Sequence, residues 1–283
     1  MTRQALNAAL VVEGGALRGV FSTGILDGFL EARFNPFDFY IGVSSGASNL
    51  AAYLAEMMGR NFKIYSDYSL RPEFINFARF LRGGHLMDLD WLWDITIREI
   101  RLDLSSIYAK RKPFIVAVTD VRSGKACYRT TGADDLEDVL KASSAMPVFY
   151  RKHPIIDDVP MTDGGVGDAI PVGEAIRRGA RRIMVIRSQH RNYVKSNSLS
   201  DYILRVCIWR YPLLQQKMAT RVLRYNEAVA LIRKPPDGVS IVEICPPENF
   251  RVTRLSQDKH VLEEGYKQGR AMAVEAITRW KMS

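Results

Sequence analysis

Short apolar runs closed by glycine turns alternate with longer stretches of helical spacing along this chain. Leu6 to Glu13 (LNAALVVE) reads as a buried strand, Gly14 to Gly19 as a turn, and Val20 to Ala32 as a helix. The order repeats at once: the apolar run Phe37 to Ile41, the turn Gly42-Val43-Ser44-Ser45-Gly46, then Ala47 to Met58, rich in Ala, Leu and Met. Residues Asn61 to Ile100 hold many aromatics around a Gly83-Gly84 break and are expected to form short helices over one end of a sheet.

Pro113 opens a β-rich run, Phe114 to Thr119, and Ala126 to Thr130 returns as a further strand after a turn at Arg122 to Gly124. A helix is expected from Asp134 to Ser143, with its acidic residues biased to the start. Asp163-Gly164-Gly165 follows Ile155-Ile156; a helix opened by Pro171 ends near Gly179, and a strand spans Arg182 to Arg187. Leu199 to Ile232 is helical in composition, Val239 to Ile244 reads as a last strand, and Lys259 to Lys281 as a closing helix. Strands alternating with helices predict an α/β fold, a mostly parallel sheet covered on both faces. No linker splits the 283 residues, so a single domain is expected, with its catalytic core at about residues 6–190 and the segment 199–283 packed on it.

The first nine residues lack the layout of a secretory signal, and no apolar run reaches the roughly 18 residues of a spanning helix. A place in the cytoplasm or on the inner face of a membrane is expected. Cys127, Cys207 and Cys245 lie far apart, which points to neither a disulfide framework nor a zinc site. The formal charge of +9 favours anionic partners.

The chemistry concentrates in three turns. Gly42-x-Ser44-x-Gly46 joins an apolar strand to an Ala-rich helix, and a strained strand-to-helix turn needs small residues on either side of the serine. Such a turn sets the Ser44 hydroxyl at a helix N-terminus, where the Ser45 N–H can face a developing oxyanion. The turn Gly14 to Gly19, adjacent in a parallel sheet, could supply further N–H donors. Asp163-Gly164-Gly165 leaves a carboxylate at a strand end that could face Ser44. Two rival readings stay open at this point. His190 or His260 could act as base in a His-dependent α/β-hydrolase. Gly14-x-Ala16-x-x-Gly19 could instead hold a nucleotide or another anion, although the acidic residue expected on a ribose is absent.

Together, Gly14-Gly15-Ala16-Leu17-Arg18-Gly19, Gly42-Val43-Ser44-Ser45-Gly46 and Asp163-Gly164-Gly165 resemble the patatin-like phospholipase family. Ala142-Ser143-Ser144-Ala145-Met146-Pro147 and Val118-Thr119-Asp120 extend the likeness, which spans roughly Ala9 to Arg187. The resemblance implies a three-layer α/β/α sandwich and a lipolytic serine esterase that uses a Ser-Asp dyad, with no cofactor and no metal. Carried over by position, Ser44 is the nucleophile and Asp163 the base, and Gly15 and Ala16 donate oxyanion N–H groups beside Ser45. Gly14, Arg18, Gly19, Gly42, Gly46, Gly164 and Gly165 support these turns. The implied partner is a lipid or small ester, with peripheral contact to an anionic membrane and no nucleic acid. The sequence departs from the family at Ala16, where a third glycine is usual, and at Ala169, where many relatives carry Asn. Two segments compete for the lipid entrance: the cationic stretch Leu199 to Arg224 and the aromatic stretch Asn61 to Trp93.

Overall fold

The computed structural model describes residues 7–197 and 208–283. Its strands are β1 (Ala8–Val12), β2 (Phe39–Val43), β3 (Phe114–Asp120), β4 (Ala126–Thr130), β5 (Ile155–Ile156), β6 (Val159–Asp163), β7 (Arg182–Ile186) and β8 (Ser240–Ile244). They form one sheet in the order β5-β6-β3-β2-β1-β7-β8, with β4 also paired to β3. Strands β1, β2, β3, β7 and β8 run parallel, while β4 and β6 each pair antiparallel with β3 and β5 pairs antiparallel with β6. The sheet is therefore mostly parallel, as the alternating pattern predicts.

Alternate residues of β1 feed two different cores, as the two-residue period of a strand requires. Leu10 and Val12 pack under the helices Val20–Glu31, Ser45–Leu54 and Lys259–Met282. Ala9 and Val11 pack on the opposite face with Val172, Ala175, Tyr225 and Val229. Both faces are thus covered and the run reads as continuously apolar. The architecture is a three-layer α/β/α sandwich.

A third apolar cluster, with Leu17, Tyr65, Tyr68, Phe74, Leu89 and Leu92, caps the sheet end where β1 and β2 finish. It is built from the short helices Arg60–Ser66 and Leu89–Ile100 and the segment between them. The stretch Leu199 to Ile232, expected to be one long helical region, divides at Thr220 into the helices Pro212–Ala219 and Arg221–Arg233. Its residues 199–207, the first third of the cationic segment singled out above, lie outside the described residues. Strand β8 pairs with β7, so the C-terminal region contributes to the same sheet.

Register explains how the three turns converge. Along β3, Tyr40 to Val43 of β2 pair with Phe114 to Ala117, and Asp163 of β6 pairs with Val118. Strand β4 pairs with Ile115 to Thr119 and overlaps both, so it must hold the other edge. Strands β2 and β6 therefore meet end to end on one edge of β3, and the residues at the junction are Ser44 and Asp163.

Candidate active site

Ser44 occupies the turn between β2 and the helix Ser45–Leu54 with φ 53°, a left-handed backbone that a residue with a Cβ adopts at a cost of roughly 1–3 kcal/mol. The turn is held by its neighbours. The Ser44 N–H donates to Ser143 Oγ at 2.8 Å, and the Ser143 hydroxyl donates to the Ala117 carbonyl at 2.6 Å. Close approach does the rest. A Cβ on Gly46 would stand 2.5 Å from the Val12 carbonyl, and one on Gly14 would stand 2.8 Å from Ser44 Cβ. These glycines let the two turns pack edge to edge.

Asp163 is 2% exposed and Ser44 8% exposed. The Ser44 hydroxyl stands near enough to the Asp163 carboxylate to favour its ionised form, and Asp163 Oδ1 accepts the Gly165 N–H at 2.7 Å. Burial pushes the Asp163 carboxyl up from the ordinary carboxylate range, and the nearby Ser44 hydroxyl, the Gly165 N–H and the charges of Arg221 and Arg254 oppose that shift. A raised pKa makes the carboxylate a stronger base than an exposed Asp. Its backbone is fixed too: the Thr119 hydroxyl donates to the Asp163 carbonyl at 2.8 Å and accepts the Gly167 N–H at 2.9 Å.

The first glycine turn faces this pair. Ala16 also has a left-handed backbone, φ 51°, so the alanine at the family's third glycine keeps the conformation that glycine would adopt readily. Among the described residues the N–H groups of Ala16 and Ser45 have no protein acceptor and are available to an oxyanion. Gly15 differs from expectation. Its N–H donates to Ser45 Oγ at 3.0 Å, so here it braces one turn against the other instead of pointing at the reacting centre. That bond also weakens the reading of Gly14 to Gly19 as a phosphate-binding loop, because the loop closes on the serine turn.

Below the turn lies a buried ionic network. Arg187, with no exposed surface, donates to Glu243 Oε1 at 2.6 Å and to the Tyr225 hydroxyl at 2.9 Å, and stands 3.9 Å from Glu13 Oε2. Glu13 accepts the Ser188 N–H at 2.8 Å, the Ser188 hydroxyl donates to the Gly14 carbonyl at 3.0 Å, and Arg18 Nη2 donates to Ser188 Oγ at 3.2 Å. Arg18 thus braces the glycine loop. Sequence reasoning passed over Arg187, whose signal was a charged residue closing an apolar strand.

Ser44 and Asp163 open into a cavity of about 160 Å³. Its walls include Ile64, Tyr65, Phe74, Leu92 and Trp93 from the aromatic stretch, with Arg18 and Arg254 also on its lining. The stretch Asn61 to Trp93 therefore supplies much of the apolar wall. Among the described residues no histidine lines this cavity. His85 packs on Tyr150, His153 on Tyr211 and His190 on Tyr193, while His260 faces Glu263 on the surface. His190 and His260, the histidines of the rival reading, are therefore not on the lining that holds Ser44 and Asp163.

Comparison with known proteins gives an independent reading. Residues 10–176 match the family described as Patatin-like phospholipase, and residues 211–282 match a Domain of unknown function (DUF6363). The chain is 35% identical over 269 residues to Uncharacterized protein YjjU of Escherichia coli (strain K12), covering 93% of this chain and 74% of that one. Its fold is similar to the crystal structure of VipD from Legionella pneumophila, with a TM-score of 0.53 and 11% sequence identity over 98% of this chain and 67% of that one. No helix among the described residues is long and apolar enough to cross a membrane.

Proposed function

The chain belongs to the patatin-like phospholipase family, and from that premise we propose that it hydrolyses carboxylic esters of phospholipids or related lipids through a Ser44–Asp163 dyad. The observation that carries the reading is that Ser44 and a buried carboxylate, Asp163, whose pKa burial has raised, meet on one cavity lining that holds no histidine among the described residues.

In this mechanism Ser44 Oγ attacks the ester carbonyl carbon while its proton passes to Asp163. The negative charge on the carbonyl oxygen is held by the N–H groups of Ala16 and Ser45, the latter at a helix N-terminus. The tetrahedral intermediate collapses, the ester C–O bond breaks, and the proton on Asp163 goes to the leaving alkoxide. Water then attacks the acyl-enzyme as Asp163 accepts its proton, and the carboxylic acid leaves with Ser44 regenerated.

Support for a lipid substrate comes from the walls. Ile64, Phe74, Leu92 and Trp93 suit an acyl chain, and Arg18 and Arg254 suit an anionic headgroup. Phe77 and Leu81, 57% and 85% exposed, sit on one short helix followed by Arg82, a pairing of apolar and cationic groups that favours contact with an anionic bilayer.

The test is release of free fatty acid from phospholipid-detergent micelles by the wild type, Ser44→Ala and His190→Gln. Release by the wild type and His190→Gln, with loss in Ser44→Ala, is expected. Release that survives Ser44→Ala would overturn the proposal.

A further inference from the structure

Three consecutive backbone carbonyls just after Asp163 are all bonded by arginines from one helix of the C-terminal region. Arg221 Nε donates to the Gly165 carbonyl at 2.9 Å. Arg224 Nη2 donates to the Val166 carbonyl at 2.9 Å, and its Nη1 bonds the Gly167 carbonyl. These carbonyls close the four-residue helix Gly164–Gly167, whose C-terminal end leaves acceptors without intrahelical partners and favours positive charge. Arg221 and Arg224 lie three positions apart on the helix Arg221–Arg233 and so share a face. Arg221 is 7% exposed. A buried guanidinium bonding main chain is costly to desolvate, and the arrangement supplies the acceptors that offset the cost.

We propose that Arg221 and Arg224 are positioning residues for the Asp163 carboxylate, which makes the C-terminal region of unknown function a working part of the hydrolytic site. The inference rests on the dyad reading above and deepens it. Gly164 and Gly165 are conformationally free in themselves, yet the Gly165 N–H must be held 2.7 Å from Asp163 Oδ1. Fixing the carbonyls of Gly165, Val166 and Gly167 fixes that N–H and, through it, the carboxylate facing Ser44. The groups acting on Asp163 are the Ser44 hydroxyl, the Gly165 N–H and the charges of Arg221 and Arg254. Both charges favour the ionised, base-competent form. The Arg224 charge acts on Asp168 instead.

The test compares full-length wild type, Arg221→Gln, Arg221→Lys and Arg224→Gln. Turnover of p-nitrophenyl butyrate from about pH 4 to pH 9 is read together with amide hydrogen exchange over residues 163–168. Arg221→Gln is expected to lower kcat at least about tenfold, leave KM within about twofold, and move the acid limb of kcat/KM to higher pH. Arg221→Lys should bring the limb back toward the wild-type position. Arg224→Gln should lower kcat with a smaller displacement of the limb. In Arg221→Gln and Arg224→Gln the Gly165 and Asp168 N–H groups should exchange at least about tenfold faster.

An unmoved acid limb with unchanged exchange in Arg221→Gln would overturn the proposal. Should that variant fail to fold, Arg221→Lys and Arg224→Gln carry the same comparison. A wild type that turns over no ester would refute the hydrolase reading alone, and exchange would still decide whether the arginines hold the turn.

Discussion

The hydroxyl of Ser143 accepts the Ser44 N–H at 2.8 Å while donating to the carbonyl of Ala117, the last β3 residue paired with β2. One side chain thereby satisfies a buried donor and a buried acceptor and pins the strained serine turn to the sheet. Ser143→Ala leaves both groups unpaired, for which a loss of about 1–3 kcal/mol is expected. Urea unfolding checks that figure, and ester turnover should fall about tenfold as the turn relaxes. Unaltered stability would show that the contact holds nothing.

Ala16 combines an available N–H with φ 51°, a region open to glycine and poor for β-branched residues. Ala16→Gly keeps the N–H and should retain turnover within about threefold, with stability changed by less than about 1 kcal/mol. Ala16→Val cannot hold the angle without strain, so its turnover should fall about 10²-fold as an oxyanion donor is misplaced. Parallel kcat measurements on the two variants separate backbone geometry from side-chain size.

Asp163 makes opposite demands on stability and on activity. Burial raises its folded pKa above the unfolded value, so the stability it contributes is present below the unfolded pKa and lost as pH rises through the folded pKa. At neutral pH the ionised carboxylate is therefore a net cost. Asp163→Asn is expected to be at least as stable as the wild type near neutral pH, with an unchanged or raised Tm, while turnover falls at least about 10²-fold. In the wild type, kcat/KM should decline on acidification at a pH above the range of an exposed Asp. A destabilised Asn variant with wild-type turnover would contradict both halves.

Arg187 lies between Glu13 and Glu243, with its Nη1 2.6 Å from Glu243 Oε1. Arg187→Met strands two buried carboxylates and should cost about 3–5 kcal/mol by urea unfolding. Arg187→Lys keeps the charge but loses the fork that reaches both Glu243 and Tyr225, so a smaller loss is expected.

The strand-turn-helix repeats were legible because both faces of β1 and β2 are buried, which leaves continuous apolar runs between glycine turns. Ser44 and Asp163 were legible because strained turns restrict composition to the small residues around them. What the sequence hid is what depends on distance in space. The bond from Gly15 N–H to Ser45 Oγ joins residues 30 positions apart, and the Arg187 network spans Glu13 to Glu243. Arg221 and Arg224 looked like two charges of a cationic helix, since nothing local marks which carbonyls a long side chain will reach. Asn61 to Trp93 was one of two candidate segments in the sequence, and its place on the cavity wall followed only once the short helices had packed over the sheet end.

The most direct test of the dyad is covalent labelling by a fluorophosphonate, with the modified residue located by mass spectrometry in wild type and Ser44→Ala. The account predicts one adduct, on Ser44, that disappears in Ser44→Ala and forms at least about tenfold more slowly in Asp163→Asn. An unlabelled wild type, or an adduct on any other serine, would contradict it.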